Sequence, residues 1–239
     1  MTENLQKYEN NAGFSLLEML IAMSLTIFML GIAATALSTG FRIREREQSV
    51  TDAIADAQRG LNIMSREIAN AGFNLKTNGV IDDDSDSSSI RIRSNLNRFD
   101  TAAGVDSREN VMDPGEDLKF FVNNANDTDY LVRHDEYSAT EVKNTVLANR
   151  MDQLRIHYFP QKVTYSTPTA NVGLLAPSDC DISNPSAAEV SPSAASYIVI
   201  SLCVRVPGAG VPNTNGYQPP SNVLLVSDVT LRNANLANY

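Results

Sequence analysis

The sequence is short of the residues from which most active sites are built. It holds two histidines and two cysteines in 239 residues, and neither Cys180 nor Cys203 belongs to a CxxC pair. A thiolate zinc site is therefore not expected. There is no glycine-rich phosphate loop, no GxSxG elbow and no HExxH helix, so the common nucleotide, hydrolase and metalloprotease readings have nothing to stand on. His134 and His157 fall in strand-like runs with no ligand set beside them in the sequence, where a histidine is more often packed or solvent-facing than catalytic. The expectation is a non-enzyme without a cofactor. A basic excess is missing too: the formal net charge is −9, and the one arginine cluster, Arg42, Arg44 and Arg46, has Glu45 and Glu47 beside it. Nucleic acid is not an expected partner.

Proline is absent from Phe14 to Gly72, and Glu18 is the only ionisable side chain between Phe14 and Phe41. A helix over Phe14–Phe41 would extend about 42 Å, enough to cross a bilayer. Beyond it the pattern changes. Val50, Ile54, Ala57, Leu61, Met64, Ile68 and Ala71 recur at spacings of four and three, while Asp52, Asp56, Arg59, Arg66 and Glu67 lie off that stripe. Gly72 is a plausible stop. The reading is one long helix, apolar all round in its first half and amphipathic in its second. The first half needs lipid or other helices, and the second needs a folded domain to lie against.

A carboxylate at membrane depth is costly and usually has a partner or a function. The start also fails as an ordinary secretory signal: MTENLQKYENNAG is polar with a single lysine, and the apolar run is far longer than a signal core. Gly13-Phe14-Ser15-Leu16-Leu17-Glu18, followed by an unbroken apolar segment, resembles the class III signal of type IV pilins and type II secretion pseudopilins. The resemblance implies cleavage between Gly13 and Phe14 by prepilin peptidase and N-methylation of Phe14. It also implies an assembly ion pair between Glu18 and the N-terminal amine of a neighbouring subunit. Together the two charges cost much less than either alone. Lys7 stands against Glu3 and Glu9, and three arginines follow the span, so charge bias alone would put the C-terminal part in the cytoplasm. The cleavage motif overrules that bias. The helix-bending proline of many major pilins is absent, which leaves Gly31 or Ser38-Thr39-Gly40 as places for local melting.

From Phe73 onward the chain reads as mostly β. Runs beginning at Ser89, Leu118, Tyr130, Leu154, Tyr197 and Val223 are rich in β-branched or aromatic residues and bounded by Asn, Asp, Gly and Pro. Leu154, Ile156 and Tyr158 alternate with Arg155 and His157. Consecutive strands after one helix give an α+β fold, with the helix across one face of a mainly antiparallel sheet. The segment Gln58–Phe73 resembles the helix end of PilW-type minor pilins, which are related to the J-type minor pseudopilins. A strand over Leu147–Tyr158 and the terminal Val229–Asn233 are similar to later landmarks of that family. The resemblance implies the pilin fold and divides the chain into a cleaved leader (1–13), a transmembrane or filament-core helix (14–41), its amphipathic continuation (42–72) and a periplasmic β-rich domain (73–239). It implies a structural role as a minor pilin in initiating pilus assembly or at the tip. The partners are then other minor and major pilins, prepilin peptidase, the inner-membrane assembly platform and the membrane itself. The alternatives are a minor pseudopilin of type II secretion and a membrane-anchored adhesive or ligand-binding domain that forms no filament.

In an exported domain Cys180 and Cys203 would form one disulfide; in a cytoplasmic one they would be buried thiols. Asp82, Asp83, Asp84 and Asp86 are hard oxygen ligands and a weak calcium candidate, but the run lacks the glycine and final glutamate of an EF-hand. A hydrated acidic loop is the preferred reading. Ser166–Pro192 and Gly208–Asn222 read as long loops that could meet a surface or partner.

Overall fold

The computed structural model describes residues 15–96, 113–125, 128–139, 142–168, 180–206, 208, 210, 212–214 and 217–234. The chain divides into two compact units, Met1–Glu45 and Arg46–Tyr239. Among the described residues one α-helix, α1 (Leu16–Ala69), is followed by seven strands: β1 (Ser89–Arg93), β2 (Asp117–Ala125), β3 (Thr128–Asp135), β4 (Asn144–Asn149), β5 (Met151–Phe159), β6 (Tyr197–Val206) and β7 (Ser221–Thr230).

The strands form two antiparallel meanders, β1-β2-β3-β4 and β5-β6-β7, where the sequence pointed to one sheet. The division falls inside the run Leu147–Tyr158. Arg150 takes φ +60°, a left-handed conformation that a long side chain rarely adopts, and this kink separates β4 from β5. The six strand-like runs fall on β1, β2, β3, β5, β6 and β7, with β1 and β7 each ending two residues before the expected run does. Alternation holds where it was clearest: Leu154, Ile156 and Tyr158 are buried, with Arg155 and His157 partly exposed.

Both sheets share one core with α1. Ala53, Ala57, Leu61, Met64 and Ile68 pack with Ile90, Phe120 and Leu131 of the larger sheet, and with Ile156, Ile200 and Val229 of the smaller. The buried stripe differs slightly from the predicted one: Ala53 and Gly60 belong to it, whereas Val50 and Ile54 are only half-buried. Small residues let the helix come close. A Cβ on Gly60 would stand 3.1 Å from Leu131 Cδ2 and 3.3 Å from Leu147 Cβ.

The helix ends at Ala69, before Gly72. The last carbonyls of a helix lack intrahelical partners. Here Arg232 N–H donates to Ala69 O (3.4 Å), and Asn233 Nδ2 donates to Ala71 O (3.0 Å). Gly72 and Gly79 then stack on the end of β1: Gly72 N–H donates to Arg93 O at 2.9 Å, and Arg93 N–H donates to Gly79 O at 2.7 Å. Gly79 has φ +79°, and a Cβ there would lie 2.0 Å from Gly72 N and 2.4 Å from Arg93 O. Only glycine fits without moving backbone.

A Gly79→Ala change should therefore open the junction between α1 and β1. The expected loss is at least about 3 kcal/mol, which for a domain of this size lowers Tm by about 6–12 °C. Thermal unfolding of the detergent-solubilised protein checks it, with Gly31→Ala as the control, because a Cβ at Gly31 meets nothing within 4 Å.

Candidate functional site

Two regions stand out, one in each compact unit. In the first, α1 is long and apolar enough to cross a membrane, and none of its most apolar window is buried. Gly13 and Phe14, the expected cleavage and methylation residues, lie outside the described residues. Ser15 immediately precedes the helix, and its carbonyl accepts from Glu18 N–H (3.0 Å) and Met19 N–H (3.1 Å). Glu18 sits in the first turn, exposed, with Leu16, Leu17, Met19 and Leu20 around it.

Hydroxyls in this half turn back onto their own helix. Ser24 donates to Ile21 O, Thr26 to Ala22 O, Thr35 to Ile32 O and Thr39 to Thr35 O, at 2.6–3.0 Å. In an apolar medium such groups must be satisfied within the segment, and these are. The remaining polar side chain with a formal charge is Glu18.

In the second unit, the outer face of β5-β6-β7 carries an extra layer. β6 is buried on both faces: Ile198, Ile200, Leu202 and Val204 belong to the core shared with α1, and Tyr197 and Val199 pack with Phe159 and Val163 under Tyr165, Ile182 and Ala187. A disulfide between Cys180 and Cys203 ties this layer to β6, with the two Cα atoms 5.6 Å apart. A second tie is His157 on β5. Its Nδ1 meets Glu189 Oε1 and its Nε2 meets Asp181 Oδ1, both at 2.7 Å. The histidine that looked isolated in the sequence thus bridges two carboxylates, 24 and 32 residues downstream.

Burial disfavours the charged imidazolium of His157, but the hydrogen bonds it donates to Asp181 and then to Glu189 outweigh it, and its pKa is raised above the ordinary histidine value. Burial likewise works against ionised Asp181, and the hydrogen bond from His157 overrides it, so that carboxyl is lowered. The carboxylates lie at opposite ends of one ring, a geometry that binds a loop rather than a metal ion.

The acidic run does not act as a set. Asp82 accepts from Ser193 N–H (2.7 Å), Asp84 accepts from Arg91 (2.6 Å) and Lys119 (3.2 Å), and Asp86 accepts from Ser88 N–H and Ser89 N–H (2.6 and 2.7 Å). Asp83 is exposed. The Arg91 and Lys119 hydrogen bonds hold the Asp84 carboxyl below the usual range. Among the described residues no group of three or more His, Cys, Asp or Glu is placed to hold a metal ion.

The prokaryotic N-terminal methylation motif matches residues 9–36. No curated protein and no solved structure matches the chain. The matched motif supports a type IV pilin-like protein, pilin or pseudopilin, with a class III signal. With the apolar helix, it supports membrane anchoring and a periplasmic domain, the compartment in which a disulfide persists.

A folded-state histidine with a raised pKa contributes stability in full below its unfolded value, about 6.5, and loses it as pH rises through the folded value. Lowered Asp181 contributes above its unfolded value, about 3.9, and loses it as pH falls through the folded one. The clamp is therefore fullest between about pH 4 and 6.5. The Tm gap between wild type and His157→Gln should be widest near pH 5.5 and narrow towards pH 9; a gap constant with pH would mean that His157 acts by packing alone. For the disulfide, the Cys180→Ser/Cys203→Ser protein should lose about 3 kcal/mol in urea unfolding, and unreduced wild type should take up no thiol label.

Proposed function

We propose that the chain is a minor type IV pilin that helps to initiate pilus assembly or sits in the tip complex, with a structural and non-catalytic role. The observation that carries this reading is the methylation motif at residues 9–36, opening a helix whose apolar half keeps one carboxylate, Glu18, beside the expected new N-terminus. On this reading prepilin peptidase removes residues 1–13 and methylates Phe14. Residues 14–41 lie in the inner membrane and later in the filament core, 42–72 form the amphipathic continuation, helical as far as Ala69, and 73–239 form the periplasmic domain. Glu18 pairs with the terminal ammonium of a neighbouring pilin, and the assembly platform draws the processed subunit into a complex with other minor and major pilins.

The segment Gln58–Phe73, helical as far as Ala69, and the Val229–Asn233 segment that closes on it through Arg232 and Asn233, support the minor-pilin type. The same features suit a minor pseudopilin of type II secretion, which is the second reading. The third reading, a membrane-anchored binding domain without a filament, requires no cleavage.

Processing separates the classes. The mature N-terminus from native membranes should begin at methylated Phe14, and Gly13→Leu should leave the protein uncut. Recovery of an intact Met1 terminus from wild type would favour the simple anchor. Glu18→Ala should leave membrane content unchanged, because it removes a charge from an apolar helix. It should also reduce co-purification of partner pilins, since an unpaired buried ammonium costs about 3–5 kcal/mol.

A further inference from the structure

We propose that β7 is a strand-addition edge: its open side pairs antiparallel with β4 of a second copy of this chain, joining the three-stranded sheet of one copy to the four-stranded sheet of the next. The proposal rests on the assembly reading for one step, that neighbouring copies share a direction, and deepens it by naming a contact between the β domains.

A sheet edge is a row of unpaired N–H and C=O groups, which proteins cover or blunt with lysine, proline or a bulge. The two sheets have four edges, and two are covered. Beside β1, Ile81 N–H donates to Arg91 O (3.0 Å) and Arg93 N–H to Gly79 O (2.7 Å); beside β5, Ile156 N–H donates to Ser87 O and Val190 N–H to Tyr158 O, both at 2.9 Å. Among the described residues, β4 and β7 have backbone partners on one side only. β7 is the less protected of the two, with ten residues in unbroken register on β6 and no proline, lysine or arginine. β4 has no charged residue either. Among the described residues of Arg46–Tyr239, the most exposed large apolar side chains are Val142 (55 %), just before β4, and Val146 (53 %), on it. One edge lacks a strand, and the other carries apolar side chains that lack cover.

Strand direction selects the pairing. β7 runs with α1: Arg46, where the helix enters this unit, donates to Pro219 O (2.8 Å), and Arg232 N–H donates to Ala69 O at the helix end. β4 runs against α1, because Arg133, paired with Thr145, meets Glu67 (3.0 Å), whereas Arg150, just past β4, meets Ser49. In copies that share a direction, β7 on β7 or β4 on β4 is parallel, and β4 on β7 is antiparallel, the slightly more stable ladder. Charge agrees with direction. Like edges would set Asp228 beside Asp228, or Lys143 beside Lys143. The mixed pair instead sets Asp228, which accepts from Tyr165 OH (2.6 Å), beside Lys143 and His134, which share Glu136 at 3.4 and 3.1 Å. Side-chain faces then give the register. Val146 pairs with Val132, next to core Leu131 and so on the face away from α1, and Val226 packs in the outer layer. Val146 thus falls opposite Val226, and Asn144 opposite Asp228. The two edges differ, so the contact is heterologous.

The test uses the full-length protein in native membranes. A Val146→Cys protein and a Val226→Cys protein are co-expressed and oxidised. Cross-strand partners fall within disulfide reach, whereas same-position cysteines lie on opposite flanks of neighbouring domains, so only the mixed dimer should form. Lys143→Asp and Asp228→Lys should each abolish that dimer, and placing both changes in every chain should restore it, which a folding defect would not do. In wild-type membranes, zero-length carbodiimide cross-linking should give a dimer containing a Lys143–Asp228 linked peptide. A dimer of Val146→Cys with itself, or of Val226→Cys with itself, overturns the pairing. Absence of both the mixed dimer and the linked peptide overturns the second copy as occupant, and continued recovery of another pilin-type subunit would leave the assembly reading standing. The N-terminal mass from the same membranes reports on that reading separately. An uncut terminus would remove it, whereas a mixed dimer supports the edge contact by itself.

Discussion

The contact between the amphipathic half of α1 and the two sheets is the interaction on which the rest of the domain depends. A three-stranded and a four-stranded meander each present an apolar face that needs a second layer. One stripe supplies it for both. Met64 and Ile68 are fully buried, and each such side chain is worth about 1.5–3 kcal/mol relative to exposure. Ala53, Ala57 and Gly60 on the same stripe keep the helix close to β3 and β4, so the apolar side chains of both sheets reach a common core. A side chain at Gly60 would press on Leu131 and Leu147 and push the helix away from the larger sheet.

Because the helix ends inside the fold, its terminal carbonyls have to be satisfied by groups distant in sequence. Arg232 and Asn233 arrive from the far end of the chain, and the turn at Gly72 is held against Arg93. Asn78, buried just beyond, donates to Pro192 O and Ala195 O while accepting from Val80 N–H. The chain end, β1 and the segment before β6 thus converge where the helix stops. The polar groups at this junction are thus satisfied by partners from separate parts of the chain.

Period and composition made the helix, its change of character and most strands legible, because burial on one face imposes a repeat that survives in any context. Features that depend on pairing at a distance were not legible. Nothing local distinguishes Arg150 from its neighbours, yet its left-handed backbone is what divides the expected strand and makes two sheets. β4 escaped notice because it is an edge strand with only Ala148 buried. His157 looked solitary, since its partners enter on a polar loop 24 and 32 residues away. One signal for that covering layer was present. The run Tyr-Ile-Val-Ile-Ser-Leu-Cys-Val of β6 is apolar without alternation, which marks a strand covered on both faces.

The same rule about buried charge leads to opposite readings in the two units. Within the domain, Asp117 is almost wholly buried and lies between Arg91 and Arg93 at 2.7 Å from each. Glu116, equally buried, accepts from Leu96 N–H and Asp113 N–H. These acids are satisfied by the fold and need no further explanation. On the apolar half of α1 the hydroxyls of Ser24, Thr26, Thr35 and Thr39 are also satisfied from within, through their own backbone, and the aliphatic side chains ask only for an apolar medium. Glu18 is the group that neither device provides for. An apolar helix that keeps a carboxylate one turn from its start, with no cationic side chain before Arg42, needs a cation brought from outside the segment. That requirement is what the proposed pairing with a neighbouring ammonium meets.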